Sequence, residues 1–273
     1  MNITFIGGGN MAGAIIGGLK AKGLATSGIR IAEPHAAARE RLSTDFGVRC
    51  FESAAAAAPY GELIVMAVKP QQMREAAKAL APQLKPNQLV LSIAAGTRLA
   101  DLGRWLGGHT LLARCMPNTP ALIGAGVTAL YATPGISAAQ RDLLDGVLGA
   151  VGSVIWVADE ALLDPVTAVS GSGPAYVFYF IEALRDAAVE MGLDAASGNR
   201  LAIETFLGAA KLAAQSPDDV SLLRERVTSK GGTTEAALHA MQLEQVKARI
   251  VRAVQAANTR AKQMGDELGK DPA

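Results

Sequence analysis

Apolar positions along the chain fall into two rhythms. In the first half, short apolar runs alternate with stretches of helical spacing. The apolar runs are Asn2–Ile6, Gly28–Ala32, Val48–Phe51, Leu63–Val68, Leu89–Ile93, Leu111–Met116, Gly126–Tyr131 and Ser153–Val157. Helical spacing covers Met11–Lys22, 36–45, 53–58, about 71–81 and Leu99–Leu106. Strand-like runs that alternate with helices predict βαβ units and a parallel sheet. Runs such as "LIVMAV" are apolar throughout, the pattern of a strand covered by helices on both faces.

After about residue 158 the strand rhythm stops. Residues 160–169, 174–191, 195–215, 218–227 and 232–266 all carry helical spacing, punctuated by Gly192, "SPDD" at 216–219 and "SKGG" at 229–232. The expected organisation is therefore an α/β domain over 1–158 and an all-α domain over 159–273. The helices of the second half are apolar on much of their surface ("AYVFYFIEAL", "LAIETFLGAAKLAA"). A small helical unit has no core large enough for that surface, so burial against a second copy is expected. The tail "GDELGKDPA" is expected to fray.

Composition narrows the function classes. A chain of 273 residues with 50% hydrophobic content has ample material for two cores. Basic residues number 26 against 25 acidic ones, so no electrostatic footprint for nucleic acid or an anionic membrane exists. Aromatic content of 4% also argues against base-stacking surfaces. The two cysteines, Cys50 and Cys115, form no CxxC pair and no metal-like cluster with the three histidines; they read as reduced thiols of a cytoplasmic protein. The opening apolar stretch has no basic side chain before Lys20 and is interrupted by glycines, so it is not read as a signal peptide. No run of about 18 apolar residues predicts a membrane span. No metal is expected.

The candidate chemistry begins with "FIGGGNMAG". Gly7-x-Gly9-x-x-Ala12 follows the first strand and opens the first helix, which is the context a dinucleotide fingerprint requires. Gly7 makes the tight turn, Gly9 lets a pyrophosphate approach the backbone, and Ala12 lets helix and strand pack closely. The N–H groups at the helix start face the diphosphate. Glu33 ends the second strand, where a carboxylate accepts hydrogen bonds from an adenosine ribose and repels a 2′-phosphate. Arg30, His35, Arg39 and Arg41 lie near enough in sequence to offset it, so NADH and NADPH both stay open. "AVKP" (67–70), "SIAAG" (92–96) and "RCMPNTP" (114–120) fall after the fourth, fifth and sixth strands, at the edge of the sheet where such a ligand lies.

Two motifs mark the second half. "SGSGPAY" (170–176) puts Pro174 in the first turn of a helix, with Ser172 or Gly173 as its cap. "TSKGGTTEAAL" (228–238) crowds Ser229, Gly231, Gly232, Thr233 and Thr234 at a helix start, with Glu235 in the first turn. Backbone N–H groups of such a turn hold a carboxylate, and a threonine supplies a neutral proton donor.

From "FIGGGNMAGAI" through "AVKP", "SIAAG" and "RCMPNTP" to "SGSGPAY" and "TSKGGTTEAAL", the chain resembles the pyrroline-5-carboxylate reductases over nearly its whole length. The resemblance implies a Rossmann-type dinucleotide-binding domain followed by an all-α dimerisation domain. It also implies a homodimer with interlocked helices, and rings of five dimers in some relatives. The substrate would be a cyclic imino acid, reduced to L-proline by NADPH or NADH. It would lie between one subunit's cofactor and helical loops near the dimer interface. By the same resemblance Gly7, Gly8, Gly9, Asn10, Met11 and Ala12 would hold the pyrophosphate, Glu33 the adenosine ribose and Ser53 the adenine side. Ala67, Val68, Lys69, Pro70 and Asn118 would line the nicotinamide half. Ser229, Lys230, Gly231, Gly232, Thr233 and Thr234 would bind the substrate carboxylate, with Thr234 reaching the ring nitrogen. Position 33 varies in the family, so cofactor preference does not carry over.

The reaction needs an electron-poor C=N, and an imine that enters protonated needs no strong acid. Three rivals remain. A 3-hydroxyacid dehydrogenase would carry a lysine on the first long helix of the second domain, and Tyr176–Leu184 has none. A reductase of other cyclic imines is hard to separate by sequence. A dinucleotide sensor without turnover has no use for the intact "TSKGGTTEAAL" loop.

Overall fold

The computed structural model describes residues 1–270. The first part of the chain runs β1 (Ile3–Ile6), α1 (Asn10–Ala21), β2 (Ile29–Ala32), α2 (Ala36–Phe46), β3 (Arg49–Phe51), α3 (Ala54–Ala57), β4 (Leu63–Met66), α4 (Met73–Leu80), β5 (Leu89–Ser92) and α5 (Leu99–Trp105). It continues with β6 (Leu112–Met116), β7 (Gly126–Ala132), α6 (Ala138–Leu148), β8 (Gly152–Trp156) and α7 (Leu163–Val166). Helices α8 (Gly173–Glu190), α9 (Ala195–Gln215), α10 (Val220–Arg226), α11 (Thr233–Leu243) and α12 (Val246–Gly269) complete the described residues.

All eight expected strands form one sheet in the order β3-β2-β1-β4-β5-β6-β7-β8. Side chains of alternate residues leave a strand on opposite faces, and here both faces are covered. Ile3, Phe5, Leu63, Val65, Leu89 and Leu91 pack with Ile15, Ile16 and Leu19 of α1 on one side. Ile6, Ile64, Met66 and Val90 pack with Met73, Ala77, Leu80 and Leu102 of α4 and α5 on the other. That double burial is why these strands read as unbroken apolar runs.

The sheet departs from the expected all-parallel form at one place. β7 runs antiparallel to β6, and β8 runs parallel to β7. The connection 117–125 holds only a 3₁₀ turn, Thr119–Ile123, and a parallel return would need a longer crossover. The crossover from β7 to β8 is α6, a helix that the apolar rhythm did not announce. Its start is a capping box: the Ser137 hydroxyl accepts from the Gln140 N–H, and the Gln140 side chain accepts from the Ser137 N–H. Leu144, Val147 and Leu148 are its buried side.

The chain separates into two compact units, Met1–Ser172 with the described residues from Ala257 on, and Gly173–Ala256. Residue 158 marks the end of the strands, but the first unit runs past it. Leu163 and Ala168 are buried in that unit. Arg114 of β6 pairs with Glu160 at 3.1 Å and Asp164 at 3.6 Å, and Glu160 also accepts from the Leu99 N–H. The end of α12 belongs there too: Arg98 pairs with Asp266, and Arg74 and Arg104 donate to the carbonyls of Leu268 and Gly269. Residues 265–269, expected to fray, thus complete a helix; 271–273 lie outside the described residues.

In the second unit α8 and α9 pack as a helical hairpin, turned at Gly192 (φ +97°), with Phe180 stacked on Phe206. Asp194 caps α9 by accepting from the Ser197 N–H. The expected single helix over 232–266 is two. Glu244 closes α11, Gln245 adopts a left-handed backbone (φ 54°), and α12 starts at Val246. Arg249 Nε donates to the Glu244 carbonyl across this break. Among the described residues no helix is long and apolar enough to cross a membrane.

Candidate active site

The glycine loop sits where β1 gives way to α1. Gly7 has φ +101°, and a Cβ on it would stand 2.7 Å from the Ala67 carbonyl oxygen. Only glycine makes this turn. Gly9, the N-cap of α1, has no atom within 4 Å of where a Cβ would be, so the backbone is bare toward open space. Ala12 is buried beneath the helix, as a close-packing position requires.

These glycines open onto a cleft of about 440 Å³ at the ends of β1, β2 and β4. Its walls include Gly7, Gly8, Gly9, Glu33, Ala67, Val68 and Lys69. The fit to a dinucleotide is a matter of shape and donors. The cradle is free of side chains at Gly9, and the first N–H groups of α1 lack intrahelical partners. Glu33 is only 9% exposed, and its carboxylate is held at both ends. Oε2 accepts from the Gly8 N–H and Oε1 from the His35 N–H, each at 3.1 Å.

Other expected cofactor residues stand off these walls. Asn10 lines a separate cleft along α1. Ser53 caps α3 by accepting from the Ala56 N–H. Pro70 begins the 3₁₀ turn that leads into α4. Asn118 is buried with its Oδ1 accepting from the Val127 N–H, which clips the loop after β6 to the start of β7. Met11 packs partly buried against the core. The walls also contain Glu52, Gln72 and Glu75, which sequence reasoning missed. They follow the ends of β3 and β4, and the strand-end rule that found Lys69 extends to them.

In the helical unit the motif 228–238 forms a turn and a helix start. Gly231 has φ +73°, and the Gly232 N–H donates to the Ser229 carbonyl. Glu235 reaches back so that its Oε2 accepts from the Gly231 N–H at 2.6 Å. The first helical bond runs from Ala236 N–H to the Gly232 carbonyl. The N–H groups of Thr233, Thr234 and Glu235 are therefore without intrahelical partners. A cleft of about 640 Å³ beside the turn is walled by Gly231, Gly232 and Glu235, with Arg224, Thr228 and His239 among its other residues. Ser229, Lys230, Thr233 and Thr234 belong to the turn and first helical residues but not to those walls. As expected, Pro174 lies in the first turn of a helix, α8, which begins at Gly173. The backbone passes from α7 through a π turn, Thr167–Gly171, and Ser172 keeps right-handed helical angles with its N–H bonded to the Thr167 carbonyl.

Burial pushes the Cys115 thiol far above its ordinary range, and burial also raises Cys50, partly offset by Arg39. Among the described residues no cluster of three or more His, Cys, Asp or Glu side chains could hold a metal.

Comparison with known proteins agrees with the two-part plan. Residues 160–264 match the family described as pyrroline-5-carboxylate reductase dimerisation. Residues 2–96 match the family of NADP oxidoreductases, coenzyme F420-dependent. The chain is 45% identical over 98% of its length, and 98% of the other, to the pyrroline-5-carboxylate reductase of Pseudomonas aeruginosa. It superposes on a solved pyrroline-5-carboxylate reductase from Coxiella burnetii with a TM-score of 0.91 at 37% identity, covering 96% of this chain and 98% of that one. A Plasmodium falciparum pyrroline carboxylate reductase solved with NADP bound gives a TM-score of 0.87 at 27% identity, covering 97% and 98%. With a glycine cradle in one unit, a glycine-rich helix start in the other and identity sustained across both, the chain belongs to the pyrroline-5-carboxylate reductase family.

Proposed function

We infer that the enzyme reduces Δ1-pyrroline-5-carboxylate to L-proline with NAD(P)H, the last step of proline biosynthesis. The observation that carries this reading is the full-length identity to reductases of that name, sustained through both units. The match reaches both the glycine loop and the Gly231–Glu235 turn.

When bound, the reduced nicotinamide supplies the hydride. The chain's own residues bind and orient. The Gly7–Ala12 segment offers bare backbone and helix-start N–H groups to the pyrophosphate. Ala67, Val68 and Lys69 line the side of the cleft beyond β4. Glu33 serves the ribose, with Ser53, Pro70 and Asn118 shaping the loops around it. In the helical unit the unpartnered N–H groups of Thr233 and Thr234 are suited to the substrate carboxylate. Lys230 adds positive charge to that turn. The imine enters protonated at nitrogen, which keeps the C=N electron-poor, and the Thr234 hydroxyl orients that nitrogen while hydride reaches the ring carbon and leaves the neutral amine. No strong acid is required, and placing the two reactants in geometry does most of the work.

The division at residue 158 separates the last strand from the helices that carry dimerisation. The family's dimerisation region makes the enzyme a homo-oligomer. A homodimer is its basic assembly in this reading, with a ring of five dimers as the larger form. Two unpaired thiols suit the cytoplasm.

Thr234→Ala tests the site. Its kcat should fall about a hundredfold while the Kd for NAD(P)H stays nearly unchanged. Wild-type steady-state kinetics in that variant would remove Thr234 from the mechanism.

A further inference from the structure

The cofactor cleft contains an arrangement that bears on which dinucleotide it takes. Glu33 is fixed by two backbone donors, Gly8 and His35, so its carboxylate cannot rotate away without abandoning both. Glu52, which follows β3 beside β2, lines the same cleft with its charge paired to Arg39, so Glu33 is the fixed carboxylate of that corner. A 2′-phosphate brings about −1.5 to −2 additional charge at neutral pH. It would enter a corner that already holds fixed negative charge.

The nearby arginines could reverse this only if they were available, and the structure shows Arg39 and Arg30 engaged elsewhere. Arg39 donates to the Glu33 and Pro34 carbonyls at 3.0 and 2.7 Å and pairs with Glu52 at 2.9 Å. It braces the chain segment from which Glu33 projects. Arg30 donates to the carbonyls of Ser27 and Ile29 and lies over the Tyr60 ring. Arg41 lines a neighbouring cleft along α1, on the other side of Gly8 and Gly9 from Glu33's corner, and the walls of the cofactor cleft do not include it. Lys69, the lysine on the cofactor cleft, follows β4, whereas Glu33 follows β2 on the far side of β1.

We propose that Glu33, pinned by the Gly8 and His35 N–H groups while Arg39 and Arg30 are held by other partners, makes this reductase selective for NADH over NADPH. The inference rests on the reading of the cleft as the dinucleotide site. The pyrophosphate and nicotinamide are common to both cofactors, so discrimination falls on the ribose corner. A carboxylate there accepts from a free 2′-hydroxyl and repels a phosphate.

The test is a pair of binding titrations on the full-length enzyme, following nicotinamide fluorescence with NADH and with NADPH and no substrate present. NADPH should bind at least about tenfold more weakly, and the kcat/KM ratio should lean the same way. Glu33→Gln, which removes the charge and keeps an acceptor oxygen, should narrow the ratio by about tenfold. Equal or tighter NADPH binding by the wild type overturns the proposal. So does an unchanged ratio in a Glu33→Gln protein that melts as the wild type does. If that variant does not fold, competition on the wild type decides: ADP should displace NADH at least about tenfold better than 2′,5′-ADP, and equal displacement refutes the idea. Because these ratios are read without substrate, they decide the proposal even if neither cofactor is oxidised with pyrroline-5-carboxylate. That second result would count against the reductase reading alone.

Discussion

In the α/β unit Phe5, Ile15, Leu63 and Met66 are wholly inaccessible to solvent, whereas in the helical unit Phe178, Tyr179 and Met191 stand 61%, 70% and 78% exposed. The α/β unit covers its sheet twice with its own helices. The helical unit buries fully only small residues, such as Ala188, Gly198 and Ala202. Burying one large aromatic side chain stabilises by about 2–3 kcal/mol. Several left open on one short hairpin are a large uncollected stabilisation, which a monomer cannot supply. The comparison teaches that one half of this enzyme folds on its own core and the other half on a second copy of itself.

The strongest way to break that comparison is Phe178→Asp. The charge would sit on a surface meant to be covered, and desolvating it costs several kcal/mol. The oligomer should fall apart in sedimentation velocity, with activity down about a hundredfold or more. NADH binding should survive, because the cleft proposed for the cofactor lies wholly in the α/β unit. An intact oligomer in the Phe178→Asp variant would mean that α8 faces water after all.

Next in size is the ion cluster that draws residues 160–172 into the α/β unit. Arg114 is almost fully buried between Glu160 and Asp164. Removing both acids together, Glu160→Ala with Asp164→Ala, strands a buried guanidinium and should cost about 3–5 kcal/mol. Chemical denaturation would show the α/β transition moving to lower denaturant. An unmoved transition would put the segment energetically with the helical unit, despite its contacts.

Gly7→Ala is expected to act on stability and cofactor together. Its backbone angle alone costs an ordinary residue about 1–3 kcal/mol, and the new methyl would press on the Ala67 main chain. Both melting temperature and NADH affinity should fall. A variant that binds NADH as tightly as wild type would show that the turn tolerates a side chain.

How much of this was legible in the sequence follows from the same contrast. The eight strands could be read because double burial forces unbroken apolar runs, and the glycine cradle because Gly7 has no substitute at that turn and Gly9 leaves the backbone bare. The helix α6 escaped notice although its Ser137–Gln140 box was present, since its short apolar side lay among polar residues. The break at Gln245 left no signal, because a left-handed glutamine is chosen by the surrounding helices rather than by its own preference. Asn118 reads as a polar group in a cofactor loop, yet a loop asparagine serves as well to hold a neighbouring N–H, and its Oδ1 does so. The wall residue Glu52 directly follows β3, where the sequence has no glycine or proline to draw attention, and Glu75 lies within α4, past the strand-end motif that drew attention to Lys69 and Pro70.

The smallest effect concerns acid. Asp194 and Asp219 cap α9 and α10 in the helical unit, and hydrogen bonds from Ser197 and Ser221 hold both carboxyls below the usual carboxylate range. A carboxyl whose folded pKa is depressed stabilises the fold above its unfolded pKa, about 3.9, and that contribution is lost as pH falls through the folded value. Both caps are fully exposed, so each effect is slight. The loss falls on the unit with the least core of its own, which makes it visible. Acid titration followed by far-UV circular dichroism should show helix signal declining below about pH 4. The decline should be shallower in Asp194→Asn with Asp219→Asn, which keeps acceptor oxygens but cannot titrate. If wild type and variant share one acid limb, the caps do not govern the helical unit's response, and its acid sensitivity would have to come from the surface that meets the second copy.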